Sequence, residues 1–126
     1  MKSGVLPAIR LTGVILALAV VSPAWAHHSA AAYDYTKTNA AVVTLKTFRW
    51  ASPHCAMVVA VMDAGGEETE LFITSAAPLV FARQGLKPDD FNIGDKLSLT
   101  WHPGRTDESI GVVVSMTLKD GRTYRE

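Results

Sequence analysis

The chain is poor in cysteine, since Cys55 is the single one among its 126 residues. An internal disulfide is therefore excluded, and a domain of this size must be stabilised by packing, with or without a bound ligand. Acidic and basic residues balance at twelve each, and the basic ones are scattered along the chain. Nucleic-acid-binding proteins usually carry a clustered basic face, so nucleic acid is not an expected partner.

Sequence signals typical of enzymes are also missing. There is no glycine-flanked serine nucleophile, no phosphate-binding loop and no Cys-x-x-Cys pair. Acidic residues group in predicted turns, where solvation accounts for them: Glu67, Glu68, Glu70, Asp89 and Asp90. We therefore expect a binding protein and not an enzyme.

The amino terminus has the layout of a secretion signal. An uncharged apolar stretch at 11–21 follows the basic residues Lys2 and Arg10. This stretch is well short of the roughly 20 apolar residues needed to span a bilayer, which favours a signal peptide over a membrane anchor.

A cleavage site follows the apolar stretch. Ala24 and Ala26 place small side chains three residues and one residue before His27, as signal peptidase requires. We predict that residues 1–26 are removed and that the mature protein, periplasmic or secreted and without a membrane span, begins at His27. Its basic residues then number ten against twelve acidic ones.

The mature chain divides into a polar, extended arm at 27–40 and a single domain at 41–126. Alternating apolar residues rich in β-branched and aromatic types predict five strands, at 41–50, 54–62, 69–74, 96–101 and 110–118. One helix is predicted at 76–84, with Ser75 as its N-cap and Gly85 as its stop.

The resulting order β-β-β-α-β-β is that of an OB-like Greek-key barrel, an all-β fold with one short helix. A two-sheet sandwich is the alternative. Long strands joined by short turns favour the closed barrel, which removes the exposed strand edges that invite aggregation. We expect this barrel to be a monomer.

Several separated motifs resemble one protein family. They are Ala26-His27-His28-Ser29, Phe48-Arg49-Trp50-Ala51-Ser52-Pro53-His54, Arg83-Gln84-Gly85-Leu86, Gly94-Asp95-Lys96-Leu97 and the segment 114–122. The chain resembles small exported bacterial proteins that form a domain of unknown function, with a mature His-His-Ser terminus and a Trp-x-Asn-Pro-His motif. It departs from them at Ala30, Ser52 and Cys55. The resemblance implies no activity, so function has to be inferred from the residues.

The predicted amino terminus offers metal ligands. His27 would carry two donors, its free α-amine and its ring Nδ1, which can chelate one ion, and His28 lies beside it. Ser29 occupies the third place, where a histidine would create the amino-terminal Cu(II)/Ni(II) motif. A short histidine-rich tract is also a common compositional feature with no metal role.

Two further histidines occupy predicted loops. His54 lies between the first two strands and His102 follows the fourth, and in an OB-fold these loops border the ligand face. With His27 and His28 laid across that face, three or four nitrogen donors could gather, a set that suits copper, zinc and nickel, with Cu(II) bound most tightly. The alternative for each loop histidine is a solvated side chain.

A second hypothesis needs no metal. Trp50 and Trp101 could offer a face that holds a small molecule, a glycan or another exported protein, although strand aromatics mostly build the core. Cys55 and Met57 share one face of the second strand, opposite His54, so we expect Cys55 to be buried and not a ligand beside His54.

Overall fold

The computed structural model describes residues 30–126. Residues 39–126 form six strands, one α-helix and one 3-10 turn. The strands are β1 (Asn39–Arg49), β2 (Ala56–Met62), β3 (Glu68–Thr74), β4 (Lys96–Pro103), β5 (Ile110–Thr117) and β6 (Thr123–Arg125). Helix α1 (Pro78–Arg83) and the 3-10 turn (Pro88–Asp90) lie between β3 and β4. Within 30–126 no helix has the length and apolar character needed to cross a membrane.

The first five strands close into a barrel. Antiparallel pairs join β3 to β2, β2 to β1, β1 to β4 and β4 to β5. Parallel pairing of β3 with β5, in which Ile73 lies opposite Gly111, completes the circuit. The expected OB-like barrel is confirmed. Strand β6, which the sequence did not predict, pairs with β5 alone.

The interior follows from the two-residue period of the strands. Leu97, Leu99 and Trp101 of β4 are all buried, as are Val43 and Leu45 of β1. A register shift in the β1–β2 pairing falls between Leu45 and Thr47. This bulge moves the inward position by one residue, so that the ring of Phe48 packs against the core.

Helix α1 closes one end of the barrel. Its Phe81 is fully buried and stacks on Tyr124 of β6, with ring centroids 4.1 Å apart. The helix begins at Pro78 with Ala77 in the N-cap position and no side-chain cap. The predicted capping role of Ser75 is therefore wrong: its hydroxyl is buried and hydrogen-bonded to the Tyr124 hydroxyl, with the two oxygens 3.3 Å apart.

The segment before β1 lies against the loop between β4 and β5. Tyr33 forms an isolated bridge with Gly104, and the Asp34 amide donates to the Pro103 carbonyl at 2.8 Å. The Tyr33 hydroxyl also donates to Thr74 Oγ1 at 3.2 Å, which ties the segment to the end of β3. These contacts bring the beginning of the described chain to the β3–β5 seam.

Candidate functional site

His102 is held in a fixed orientation at the end of β4. Its Nδ1 lies 2.6 Å from the Lys37 carbonyl oxygen, which can only accept, so Nδ1 is the donor. In the neutral ring Nε2 then carries no proton and has a free lone pair. The exposed ring of Tyr35 packs edge-on against this imidazole, at a centroid distance of 5.1 Å.

His54 borders a neighbouring part of the same surface. It is exposed in the loop between β1 and β2, where it lines a cavity of about 160 Å³ with Ala30, Tyr35 and Glu126. An adjoining cavity of about 210 Å³ is lined by His102, and it shares Tyr35 and Glu126 with the first.

We call this surface the histidine groove and define it by the side chains around the two cavities. Its members are Tyr35, His54, His102, Val112 and Glu126. Val112 of β5 forms its floor, because this residue lines both cavities. His54 lies in the loop after β1, whereas His102 belongs to β4, so the predicted loop position of His102 is wrong. The two side chains line adjoining cavities of one groove.

Glu126 stands between the two histidines. Its carboxylate oxygen accepts from the Ser75 hydroxyl at 3.4 Å. Desolvation of the carboxyl group raises the pKa of Glu126 above its ordinary value, while the Ser75 hydrogen bond and the charge of His54 act in the opposite direction. The sequence did not point to this residue, since a lone glutamate beyond the last turn has no pattern around it.

The groove alone does not supply a complete metal site. Within residues 30–126 no group of three histidine, cysteine, aspartate or glutamate side chains is arranged to hold a metal ion. His27 and His28, predicted as further ligands, lie outside the described residues. Cys55 is fully buried and unpaired, which confirms its expected place in the core.

The two tryptophans of the second hypothesis lie in different places. Trp50 packs into an aromatic cluster beside helix α1, with its ring 5.4 Å from Phe81 and 6.3 Å from Phe91. Trp101 is buried near the end of the barrel opposite helix α1, where it lines a cavity separate from the histidine groove. The residues do not form one shared binding face.

Comparison with family models gives a match over residues 15–114, to a family of unknown function, DUF6152. The chain belongs to the DUF6152 family. Comparison with curated proteins gives no match, and neither does comparison with solved structures. The DUF6152 match spans all four histidines and ends within β5, before Glu126.

Proposed function

We propose that this DUF6152 protein is an exported metal-binding protein that prefers Cu(II). The α-amine and imidazole of His27 chelate the ion, and His54 or His102 completes the site, with His28 as a further donor beside it. One observation carries the proposal: Ala30 and His54 line the same cavity. Since consecutive Cα atoms are about 3.8 Å apart, His27 is tethered within about 11 Å of Ala30.

The orientation of His102 supports a ligand role. Metal-binding histidines usually donate their second ring nitrogen to a carbonyl or carboxylate, which fixes the ring and the tautomer. The bond from His102 Nδ1 to the Lys37 carbonyl is of this kind and leaves Nε2 for an ion. Neutral imidazoles and an amine suit copper, zinc and nickel, and Cu(II) stands first in intrinsic affinity.

The number of donors explains why the amino terminus is required. The described residues offer no set of three ligand side chains. Two donors from His27 form a weak, exposed chelate, and an imidazole held by the barrel adds a pre-organised third. Free His27 and an intact groove should therefore be needed together.

The test is titration with Cu(II), followed by calorimetry and electron paramagnetic resonance. The protein beginning at His27 is compared with a version carrying three alanines before His27, which leaves no histidine in third place, and with His54→Ala and His102→Ala. We expect the three added alanines and at least one of the histidine substitutions to weaken binding by about tenfold or more, because the extension takes the α-amine away from His27 and each substitution removes an imidazole. Arg83→Ala on the exposed face of α1 is the control and should bind as the parent does.

Proton competition gives a second readout of the same site. Because protons compete for the amine and imidazoles, Cu(II) affinity should fall as pH decreases through about 6.5. Equal affinity in the parent, the alanine-extended version and both histidine variants would refute the proposal.

A further inference from the structure

The end of the barrel opposite helix α1 opens into the largest of the described cavities. Its volume is about 520 Å³, within the range of about 300–1,000 Å³ typical of small-molecule pockets. The wall combines apolar and polar side chains: Val61, Leu71, Trp101, Asn39, Thr69 and Glu108. None of these residues belongs to the histidine groove, so the cavity is a second and separate feature.

Trp101, which lines this cavity, has an unsatisfied polar group. The residue is only 6% exposed, and its indole Nε1 is buried with no hydrogen-bond partner among the described residues. Buried tryptophan N–H groups usually find an acceptor, because an unpaired donor away from water is costly. An acceptor brought by a bound molecule would satisfy this donor.

Neighbouring residues restrict the indole to its position. A side-chain carbon at Gly111 would lie 2.5 Å from Trp101 Cδ1, next to Nε1, so glycine is needed for the ring to occupy this place. The same glycine pairs with Ile73 at the β3–β5 seam. The indole is thus held by the barrel closure itself, which makes it a pre-organised donor.

We propose that this cavity binds a small organic molecule with an apolar ring and an acceptor oxygen, and that Trp101 Nε1–H donates to that oxygen. Val61 and Leu71 contact the ring. Glu108 is the only charged residue among those lining the cavity in the described chain, so uncharged or cationic molecules are preferred over anions. Because Nε1 is enclosed, the proposal requires a local shift of the side chains around it for the ligand oxygen to reach the N–H.

The test uses three simple probes: benzamide, toluene and benzoate. They share one ring and differ in acceptor and charge. In ¹⁵N-labelled protein, benzamide should move the indole N–H signal of Trp101 downfield in a saturable way and leave that of Trp50 in place. Toluene should produce no downfield shift, and benzoate should bind at least about fivefold more weakly than benzamide. No saturable shift at Trp101, or equal shifts at both tryptophans, would overturn the proposal.

Matched variants separate the hydrogen bond from the fold. Trp101→Phe removes the donor and should weaken benzamide binding about fivefold, the size expected for one neutral hydrogen bond. Trp50→Phe makes the same change in the aromatic cluster beside helix α1, away from this cavity, and should have no effect. Glu108→Gln, on the exposed loop, should bring benzoate affinity up towards that of benzamide. Full benzamide affinity in Trp101→Phe, or unchanged benzoate affinity in Glu108→Gln, would contradict the assignment.

Discussion

A single buried hydroxyl, that of Ser75, links the barrel core to the histidine groove. It lies 3.3 Å from the Tyr124 hydroxyl and 3.4 Å from a Glu126 carboxylate oxygen. Desolvation raises the pKa of the Tyr124 hydroxyl, so this group stays neutral and keeps its capacity to donate. The three side chains connect the aromatic stack on Phe81 to the surface.

Removing this hydroxyl should cost stability. Ser75→Ala leaves the Tyr124 hydroxyl short of a partner, and we expect the free energy of unfolding to fall by about 1–3 kcal/mol. Urea denaturation measures the change. Ser98→Ala, at an exposed position of β4, is the matched control and should lie within about 0.5 kcal/mol of the parent.

A double variant tests whether Ser75 acts through Tyr124. Combined with Tyr124→Phe, Ser75→Ala should cost less than it does alone, because the unsatisfied hydroxyl is gone. Equal losses in Ser75→Ala and Ser98→Ala, or strict additivity in the double variant, would contradict this account.

Among the elements, the β3–β5 seam has little room to spare. A side-chain carbon at Gly111 would meet Trp101 Cδ1 at 2.5 Å and Ile73 Cδ1 at 3.0 Å. Both neighbours are buried and neither can move into solvent. The seam therefore depends on the missing side chain of one residue.

Gly111→Ala should consequently loosen the barrel. Overpacking of this kind costs about 1–3 kcal/mol, and we expect a loss of unfolding free energy in that range. Gly65→Ala is the matched control, since its new carbon would approach only the exposed Asp63 side chain, at 3.3 Å. Thermal unfolding that places both variants at the same midpoint would show that the seam is more tolerant than its geometry indicates.

At the scale of the elements, the sequence predicted the features that depend on the two-residue alternation of apolar side chains. Alternating apolar residues located all five barrel strands, and the observed ends lie close to the predicted ones. Strand β6 was missed because in three residues only Tyr124 is buried, which is too short a run to show alternation. Ser75 was misassigned because its hydroxyl found a tertiary partner in Tyr124.

The candidate site was predicted less completely. The expected proximity of His54 and His102 rested on OB-fold topology, which fixes which loops are neighbours, although His102 belongs to β4 and not to a loop. Glu126 and Tyr35 reach the histidine groove through contacts that no local pattern records. The separation of Trp50 from Trp101 also depends on strand register, including the bulge that follows Leu45, which composition does not reveal.

At the scale of the whole molecule, hydrogen bonds and ion pairs of surface carboxylates connect the loops. Hydrogen bonds from Arg122 lower the pKa of both Asp90 and Asp120, and a hydrogen bond from Lys119 lowers that of Asp95. Arg122 also donates to the Gly85 carbonyl at 3.3 Å, so the β5–β6 turn is fastened to the region around α1.

These lowered pKa values predict acid sensitivity. An aspartate whose folded pKa lies below its unfolded value of about 3.8 stabilises the fold above that pH and loses the contribution as pH falls through the folded pKa. Unfolding free energy should therefore decline as pH falls below about 4. Asp90→Asn should flatten this decline in urea titrations, whereas Asp89→Asn, outside the Arg122 ion pair, should leave it unchanged. Parallel curves for the two variants would rule out the Asp90 contribution.

The parallel pairing of β3 with β5 also affects how fast the chain folds. Residues 72–74 can complete their pairing only with residues 110–112, and β1 pairs with the distant strand β4. The contacts that close the barrel therefore join distant parts of the chain. Folding dominated by such contacts is slow. A chain cut short before Ile110 would keep β3 and β4 with unpaired backbone edges, open to association with other chains. Pairing of β5 with β3 and β4 is therefore the step after which these two strands no longer expose unpaired backbone edges to other chains.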